Sequence, residues 1–135
     1  MIHVIMGLKG SGKTKKLIDS CNAAAATAAG VVVCIEYGNK LTYDVKSSVR
    51  LVNSKEYGIS NSCMLKGLLS GLHAGNYDIT HVYIDNLYKT IGSDRACGEE
   101  FILWCAEFAK ANNMEITLTV SDDPTLASDA VKNFL

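Results

Sequence analysis

Three glycines, a lysine and a threonine near the start of the sequence have the types and the spacing that bind phosphate. Residues 7–14 read Gly-Leu-Lys-Gly-Ser-Gly-Lys-Thr, which fits the pattern G-x-x-x-x-G-K-[ST]. Gly10 and Gly12 allow the main chain to approach an anion closely, so the amides of residues 10–14 can point at phosphate oxygens. We expect Lys13 to bridge the β- and γ-phosphates of a nucleotide and the Thr14 hydroxyl to ligate magnesium.

Other residues of this loop are close enough in sequence to contact the same phosphates. Lys9 and Ser11 lie inside the loop, and Lys15 follows Thr14, although the side chains of Lys15 and Lys16 also suit solvent or a neighbouring carboxylate. A chance match is the alternative, and the context opposes it because a strand-like run precedes the loop and a helical pattern follows. The predicted nucleotide-binding residues are Lys9, Gly10, Ser11, Gly12, Lys13, Thr14 and Lys15.

A carboxylate that ends an apolar run provides the second anchor for magnesium. His81-Val82-Tyr83-Ile84-Asp85 reads as a strand that ends in an aspartate. At the carboxyl edge of a parallel sheet, Asp85 would lie near Thr14 and hold magnesium through water. The alternative is an aspartate that only begins a turn.

The residue after Asp85 does not supply a catalytic base. Asn86 follows Asp85, and an amide cannot accept a proton from water. Glu36 ends another strand-like run, residues 31–35, at the same predicted edge, where it could orient water or bind a substrate group. A solvated carboxylate at a strand end is the alternative. The predicted catalytic residues are therefore Lys13 and Glu36.

Arg95 follows the Asp85 strand and is a candidate for a phosphate contact in its own subunit or in a neighbouring one. The interpretation that we favour is a surface arginine that pairs with Asp94 or Glu99.

The elements that position these residues alternate between strand and helix. Apolar runs predict strands at residues 2–6, 31–35, 80–84 and 115–120, and residues 49–52 are a further candidate. Caps, glycine stops and helical spacing predict helices at 13–29, from 61 or 62 to 74, from 93 or 94 onward, and after 123. Gly67 and Gly71 share one helical face, where we expect close packing. The order predicts one α/β domain over residues 1–135, with a mostly parallel sheet of four or five strands.

Composition limits the partners and the compartment. The chain has a formal charge of -1 and only two arginines, so we do not expect nucleic acid or an anionic membrane as a partner. No apolar run approaches the roughly 18 residues of a membrane helix. Five cysteines, an odd number without a C-x-x-C pair, and the lack of a signal peptide predict buried thiols in a reducing cytoplasm.

The loop at residues 7–14 and the strand ending at Asp85 resemble the P-loop NTPase superfamily. Within it, the chain is similar to the division in which an extra strand separates the P-loop strand from the aspartate strand, as in RecA-like ATPases and thymidine kinases. The resemblance implies a three-layer α/β/α nucleotide-binding fold with strand order 1-4-3-2, in which strand 115–120 lies between strands 2–6 and 80–84. It also implies ATP or ADP with Mg²⁺ as ligands, and Ser121 or Thr119 as the polar residue near the γ-phosphate.

The whole chain is also similar to small bacterial P-loop proteins that are labelled twitching-motility-type ATPases. The similarity runs from Arg50 through Tyr57-Gly58-Ile59 to Asp78-Ile79. That label rests on the P-loop and defines no role.

Several features of particular P-loop families are absent from the sequence. The guanine motif N-K-x-D, a zinc-binding C-x-x-C, a glutamate after the magnesium aspartate and the superfamily's fifth strand are not visible. Three functions remain open: a slow magnesium-dependent ATPase, a nucleotide-dependent interaction module, and a small-molecule or nucleoside kinase with residues 37–60 as an acceptor lid. An unpaired edge at strand 2–6 would favour a homodimer or a protein partner.

Overall fold

The fold consists of five strands and five helices, and the computed structural model describes residues 1–135. The strands are β1 (Ile2–Gly7), β2 (Val31–Glu36), β3 (Arg50–Asn53), β4 (Ile79–Ile84) and β5 (Glu115–Ser121). The helices are α1 (Lys13–Thr27), α2 (Ser62–Gly75), α3 (Leu87–Ile91), α4 (Arg95–Ala111) and α5 (Asp129–Lys132). A 3₁₀ turn at Pro124–Leu126 precedes α5.

All five strands run parallel in one sheet, in the order β1-β5-β4-β2-β3. β5 therefore lies between β1 and β4, and β1 and β3 form the two edges. The continuous apolar runs of β2 and β5 suit central strands, because helices cover both faces of a parallel sheet. The predicted α/β class with a parallel sheet is confirmed.

Helices cover the two faces of the sheet through separate apolar clusters. On one face, Leu17 of α1 packs with Cys34 of β2 in a cluster of seven buried residues. On the other face, Leu69 of α2 and Phe101 of α4 belong to a cluster of 23 buried residues that includes Leu118 of β5. The sheet is thus enclosed on both sides, and α1 alone among the helices supplies the core of its face.

The chain makes a close approach between the end of α1 and the start of β4. A Cβ atom on Gly30 would overlap the carbonyl oxygen of Asp78, so only glycine fits at this position. Val31 N–H donates a hydrogen bond of 2.8 Å to the same oxygen. Gly30 therefore ends the helical segment and also allows β2 to enter the sheet beside β4.

Three local features add to the sequence predictions or correct them. β3 confirms the candidate strand near residues 49–52 and brings the sheet to five strands, within the predicted four or five. As expected, no strand lies beyond β1. α3 follows Asn86, where no helix is predicted, because five residues are too short to show helical periodicity. The expected close packing of Gly67 and Gly71 is wrong, since no atom lies within 4 Å of a Cβ built on either residue.

The outer edge of β1 is partly covered by the end of the same chain. Val4 N–H donates a hydrogen bond of 2.8 Å to the Phe134 carbonyl oxygen. The predicted edge at residues 2–6 is therefore present, and one of its amides is paired internally. None of the helices combines the length and the apolar composition needed to cross a bilayer.

The cysteines differ in exposure. Cys21, Cys34 and Cys105 are buried, as expected of thiols that pack in a core. Cys63 is exposed and Cys97 is half-buried, so the prediction of buried thiols is wrong for these two. All five are free thiols.

Candidate functional site

The glycine-rich loop connects β1 to α1 at the carboxyl edge of the sheet. Gly10 and Gly12 have φ angles of 85° and 82°, values in the left-handed region that favour glycine. A Cβ atom on Gly7 would lie 2.6 Å from Ser11 Oγ, so a larger residue would displace Ser11. Ser11 N–H donates a hydrogen bond of 3.2 Å to the Leu8 carbonyl oxygen and closes the turn. The glycines thus permit the tight loop from which α1 starts.

This loop, the start of α1 and the ends of β4 and β5 surround a polar cavity of about 380 Å³. Its lining contains no hydrophobic residue and no acidic one. The first amides of α1 have no intrahelical acceptor, and the helix dipole places partial positive charge at this end. The cavity can therefore hold an anion. The lining residues are Lys9, Gly10, Gly12, Lys13, Thr14, Lys15, Asn86, Thr119 and Ser121.

A larger cleft, of about 760 Å³, lies elsewhere on the molecule, against Ile2, Ala109 and Phe134. Ile2 begins β1, so this cleft is at the amino ends of the strands. Ligands of open α/β sheets bind outside the carboxyl ends of the strands. We therefore take the smaller, polar cavity as the candidate site.

Lys13 is nearly buried beside this cavity, with 9% of its surface exposed. Its Nζ donates a hydrogen bond of 3.0 Å to the Leu8 carbonyl oxygen and lies 3.5 Å from Ser11 Oγ. Burying an ammonium group without partners is costly. The oxygens of the loop therefore hold this charge in place, and an incoming anion can replace them.

The other predicted loop residues differ in how they contact the cavity. Lys15 Nζ pairs with Asp19 at 3.0 Å, one helical turn away, and its side chain is 80% exposed. Lys9 is exposed and has no carboxylate partner. Ser11 contacts Lys13 and does not line the cavity. Lys9 therefore lines the cavity without an ion-pair partner, whereas the Lys15 side chain is paired along α1.

Asp85 lies beside Thr14, although 71 residues separate them in sequence. Thr14 Oγ1 is 3.1 Å and 3.3 Å from the two carboxylate oxygens of Asp85. Thr119 Oγ1 donates to Asp85 Oδ1 at 2.8 Å and accepts from Asn86 N–H at 2.6 Å. Asn86 has a φ of 53°, in the left-handed region. The ends of β4 and β5 and the first turn of α1 therefore meet at one carboxylate.

Thr14 and Asp85 supply oxygen donors, the ligand type that magnesium prefers. No group of three or more His, Cys, Asp or Glu side chains is arranged to hold a metal ion by itself. Magnesium keeps several waters and is usually bound by one or two carboxylates together with substrate phosphates. The donor set therefore fits magnesium that arrives with a phosphate ligand.

Glu36 lies next to Asp85, because β2 and β4 are neighbours and Asp85 N–H donates to the Ile35 carbonyl oxygen at 2.9 Å. Glu36 is 5% exposed, and its Oε1 accepts a hydrogen bond of 2.9 Å from Leu41 N–H. The alternative of a solvated strand-end carboxylate is wrong. Its Oε2 has no hydrogen-bond partner in the chain and remains available to a ligand or to water.

Arg95 begins α4 and pairs with Asp122 in a bidentate contact. Arg95 Nε and a terminal nitrogen each lie 2.8 Å from an Asp122 oxygen. The prediction that Arg95 pairs with Asp94 or Glu99 is wrong. Asp94 caps α4 by accepting a hydrogen bond from Ala96 N–H. The predicted alternative, a phosphate contact, would require Arg95 to leave Asp122.

Asp122 and Tyr88 are not among the predicted site residues. The Tyr88 hydroxyl donates a hydrogen bond of 3.0 Å to Asp122 Oδ2, and Asp122 N–H donates to the Gly7 carbonyl oxygen at 3.1 Å. The Arg95 guanidinium holds the pKa of Asp122 well below its usual range. Burial, followed by the bond to Asp122, raises the pKa of Tyr88 to about 12. In the sequence, Asp122 follows a predicted strand in the same way as Asp85, and this position is the signal that indicates a site residue.

The chain matches no protein-family model and no curated protein. A functional assignment therefore depends on the arrangement of the residues around the polar cavity.

Proposed function

We propose that the chain binds ATP or ADP with magnesium at residues 7–14, and that it hydrolyses ATP slowly or uses it as a switch. The observation that carries this proposal is the polar cavity of about 380 Å³ at the start of α1. Its lysines and backbone amides face no competing carboxylate within the cavity, which suits a polyphosphate. A relationship to P-loop NTPases, with the strand order of their RecA-like division, is part of the same proposal.

Lys13 would exchange its present partners for phosphate oxygens when the nucleotide binds. Its ammonium is bonded to the Leu8 carbonyl oxygen at 3.0 Å. A hydrogen bond between two charged groups is stronger than one to a neutral carbonyl. The charge stays paired before and after binding, so the loop requires little rearrangement.

Thr14 and Asp85 would hold magnesium, Thr14 by direct ligation and Asp85 through water. The two side chains are already adjacent, with Thr14 Oγ1 3.1 Å from Asp85 Oδ1. Thr119 fixes the same carboxylate from β5. A bound magnesium ion would neutralise charge on the phosphates.

Glu36 is the proposed base. Its Oε1 is fixed by Leu41 N–H, while Oε2 is free to accept a proton from water. Asn86 has no basic group, and its N–H is bonded to Thr119. Because the residue after Asp85 contributes no base, we expect slow turnover.

The position of β1 at the sheet edge favours a second candidate, a nucleotide-dependent interaction module. Val4 pairs with Phe134 on this edge, and β1 has no strand neighbour there. A second copy of the chain or another protein could pair with the remaining groups. Under this candidate function, the mass measured by light scattering differs between ATP and ADP. An equal mass with both nucleotides would argue against a homodimer switch.

Calorimetric titration with ATP, ADP and GTP, with and without magnesium, tests the binding proposal. We expect Lys13→Ala to weaken ATP binding by about ten- to a hundredfold, because a charged hydrogen bond contributes about 1.5–3 kcal/mol. Lys16→Ala is the matched control, since Lys16 is exposed and unpaired on the same helix. No binding heat with any nucleotide at millimolar concentration would refute the proposal.

Steady release of phosphate tests the catalytic part separately. We expect Glu36→Gln to lower the rate by about a hundredfold while ATP still binds, as for loss of a general base. Release that is unchanged in Glu36→Gln would remove Glu36 as the base and leave the binding proposal intact.

A further inference from the structure

A second cavity, of about 270 Å³, adjoins the polar cavity and shares Thr14 and Asn86 with its lining. The buried carboxylates of Glu36 and Asp85 lie on its inner side. A water molecule takes up about 30 Å³ of liquid volume, so the cavity has room for more than an attacking water. It is slightly smaller than the roughly 300–1,000 Å³ of sites for drug-sized ligands. Its size therefore suits a small metabolite.

The outer side of this cavity carries two lysines that form no ion pair. Lys40 and Lys89 both line it, are exposed and form no ion pair, although Asp44 lines it as well. Lys89 Nζ lies 6.0 Å from the centre of the Tyr37 ring, and Lys55 Nζ lies 5.8 Å from the same centre. An aromatic face attracts a cation without neutralising it. Lys40 and Lys89 therefore remain available to an anion.

The loop after β2 connects the two sides of the cavity. Leu41 N–H fixes Glu36 Oε1, and Lys40 is the preceding residue. A ligand that bridges Lys40 and Glu36 would therefore contact both ends of one short, anchored segment. The unpaired lysines suit the anionic end of a ligand, and the buried Glu36 carboxylate suits an end that donates a proton.

We infer that this cavity binds a small hydroxylated anion and that the chain transfers the γ-phosphoryl group of ATP to its hydroxyl. The carboxylate or phosphate group of the ligand contacts Lys40 and Lys89, and its hydroxyl donates to Glu36 Oε2. The inference rests on the proposed function, because the phosphoryl donor occupies the adjoining cavity. The chain is then a small-molecule kinase whose hydrolysis of ATP is the side reaction with water.

The transfer balances with ATP as the only co-reactant. The hydroxyl oxygen forms a bond to the γ-phosphorus while the bond from that phosphorus to the β,γ-bridging oxygen breaks. The electron pair of the broken bond stays on the bridging oxygen, so ADP leaves. The hydroxyl proton passes to Glu36 Oε2 and then to water. The products are a phosphomonoester, ADP and one proton.

Three probes with the same carbon skeleton test the ligand class: glycerate, glycerol 3-phosphate and glycerol. Each is titrated into ¹⁵N-labelled protein with magnesium and ATP, and phosphorus NMR follows the product. We expect glycerate or glycerol 3-phosphate to shift the amides of Tyr37, Leu41 and Lys89 and to yield a phosphomonoester, with at least about tenfold more product than glycerol gives. Comparison of the two anions shows which anionic group the lysines prefer. Equal behaviour of the anions and glycerol, or inorganic phosphate as the sole product, would overturn the inference.

The double variant Lys40→Gln/Lys89→Gln tests the contacts, with Lys132→Gln on α5 as the control. All three side chains are exposed, so the variants are expected to fold. We expect the double variant to bind the anion about tenfold more weakly or worse, and Lys132→Gln to bind it like the unaltered chain. An ATP titration of each protein separates the two proposals. No ATP binding by the unaltered chain refutes the proposed function, whereas ATP binding with an anion response that survives in the double variant refutes this inference alone.

Discussion

Thr119 Oγ1 donates a hydrogen bond of 2.8 Å to Asp85 Oδ1 and accepts one of 2.6 Å from Asn86 N–H. One side chain of β5 thus holds both residues that follow β4. Thr119 is 1% exposed, so bulk water cannot replace a lost bond. The orientation of Asp85 toward Thr14 therefore depends on a buried hydroxyl of the neighbouring strand.

Replacement of Thr119 by valine should destabilise the fold. Thr119→Val leaves the Asn86 N–H without its acceptor and removes one donor from Asp85, at a cost of about 1–3 kcal/mol. Thr117→Val is the control, because Thr117 lies two residues earlier on the same face and the bonds to Asp85 and Asn86 come from Thr119. Urea unfolding measures both free energies of unfolding. Equal losses in the two variants would contradict the role of Thr119.

Asp85→Asn should weaken the effect of magnesium on ATP binding. Loss of an outer-shell partner typically lowers metal affinity by about 10- to 100-fold. Calorimetry measures the dissociation constant of ATP with magnesium and with a chelator. The ratio of the two constants is then compared between the variants. Asp78→Asn is the control, since Asp78 is exposed at the opposite end of the same strand. A magnesium effect that is the same in Asp85→Asn and the unaltered chain would exclude Asp85 as a magnesium residue.

The contribution of the Arg95–Asp122 pair to stability should decrease in acid. Arg95 lowers the pKa of folded Asp122 below the value of about 3.9 in an unfolded chain. The pair therefore stabilises the fold above that unfolded pKa, and the stabilisation is lost as pH falls through the lower folded pKa. We expect Asp122→Asn to be destabilised at pH 7 and pH 5 and to be less destabilised at pH 3, where the unfolded chain already binds the proton while folded Asp122 stays ionised. Urea unfolding at the three pH values measures this, and a difference that grows in acid would contradict it.

Alanine on the exposed glycine face of α2 should stabilise the protein. A Cβ on Gly67 or Gly71 meets no atom within 4 Å, and glycine inside a helix costs about 0.5–1 kcal/mol relative to alanine. We expect each substitution to raise the melting temperature. Gly98→Ala in α4 is the matched control with the opposite sign, because its Cβ would lie 2.6 Å from Tyr88 Cε1. A stabilised Gly98→Ala would show that Tyr88 moves aside easily.

The fold class could be predicted because buried parallel strands appear in sequence as continuous apolar runs. β3 and α3 were harder to predict, since they contain four and five residues and show too little periodicity. Helical spacing shows which residues share a face but not what covers that face. For this reason the spacing of Gly67 and Gly71 predicts their shared face but not what packs against it.

The sequence predicts those parts of the candidate site whose positions follow from the order and direction of the strands. Thr14 and Asp85 both follow strands at the carboxyl edge of one parallel sheet, so the sequence sufficed to bring them together. The partner of Arg95 could not be predicted in this way. Asp122 follows the last residue of β5, and its contact with Arg95 depends on where α4 begins in space.

The order of synthesis separates the glycine-rich loop from the strand that supports it. β1 pairs only with β5, and the contact from the Met1 amino group to the Met114 carbonyl oxygen spans 113 residues. Thr119, which orients Asp85, lies on that same late strand. Contacts so distant in sequence form only after the intervening chain is available. A nascent chain on the ribosome therefore contains the whole loop motif long before β5 can complete the site. A fragment that stops before residue 115 would keep the motif but could not form the contacts that β5 makes with β1 and Asp85.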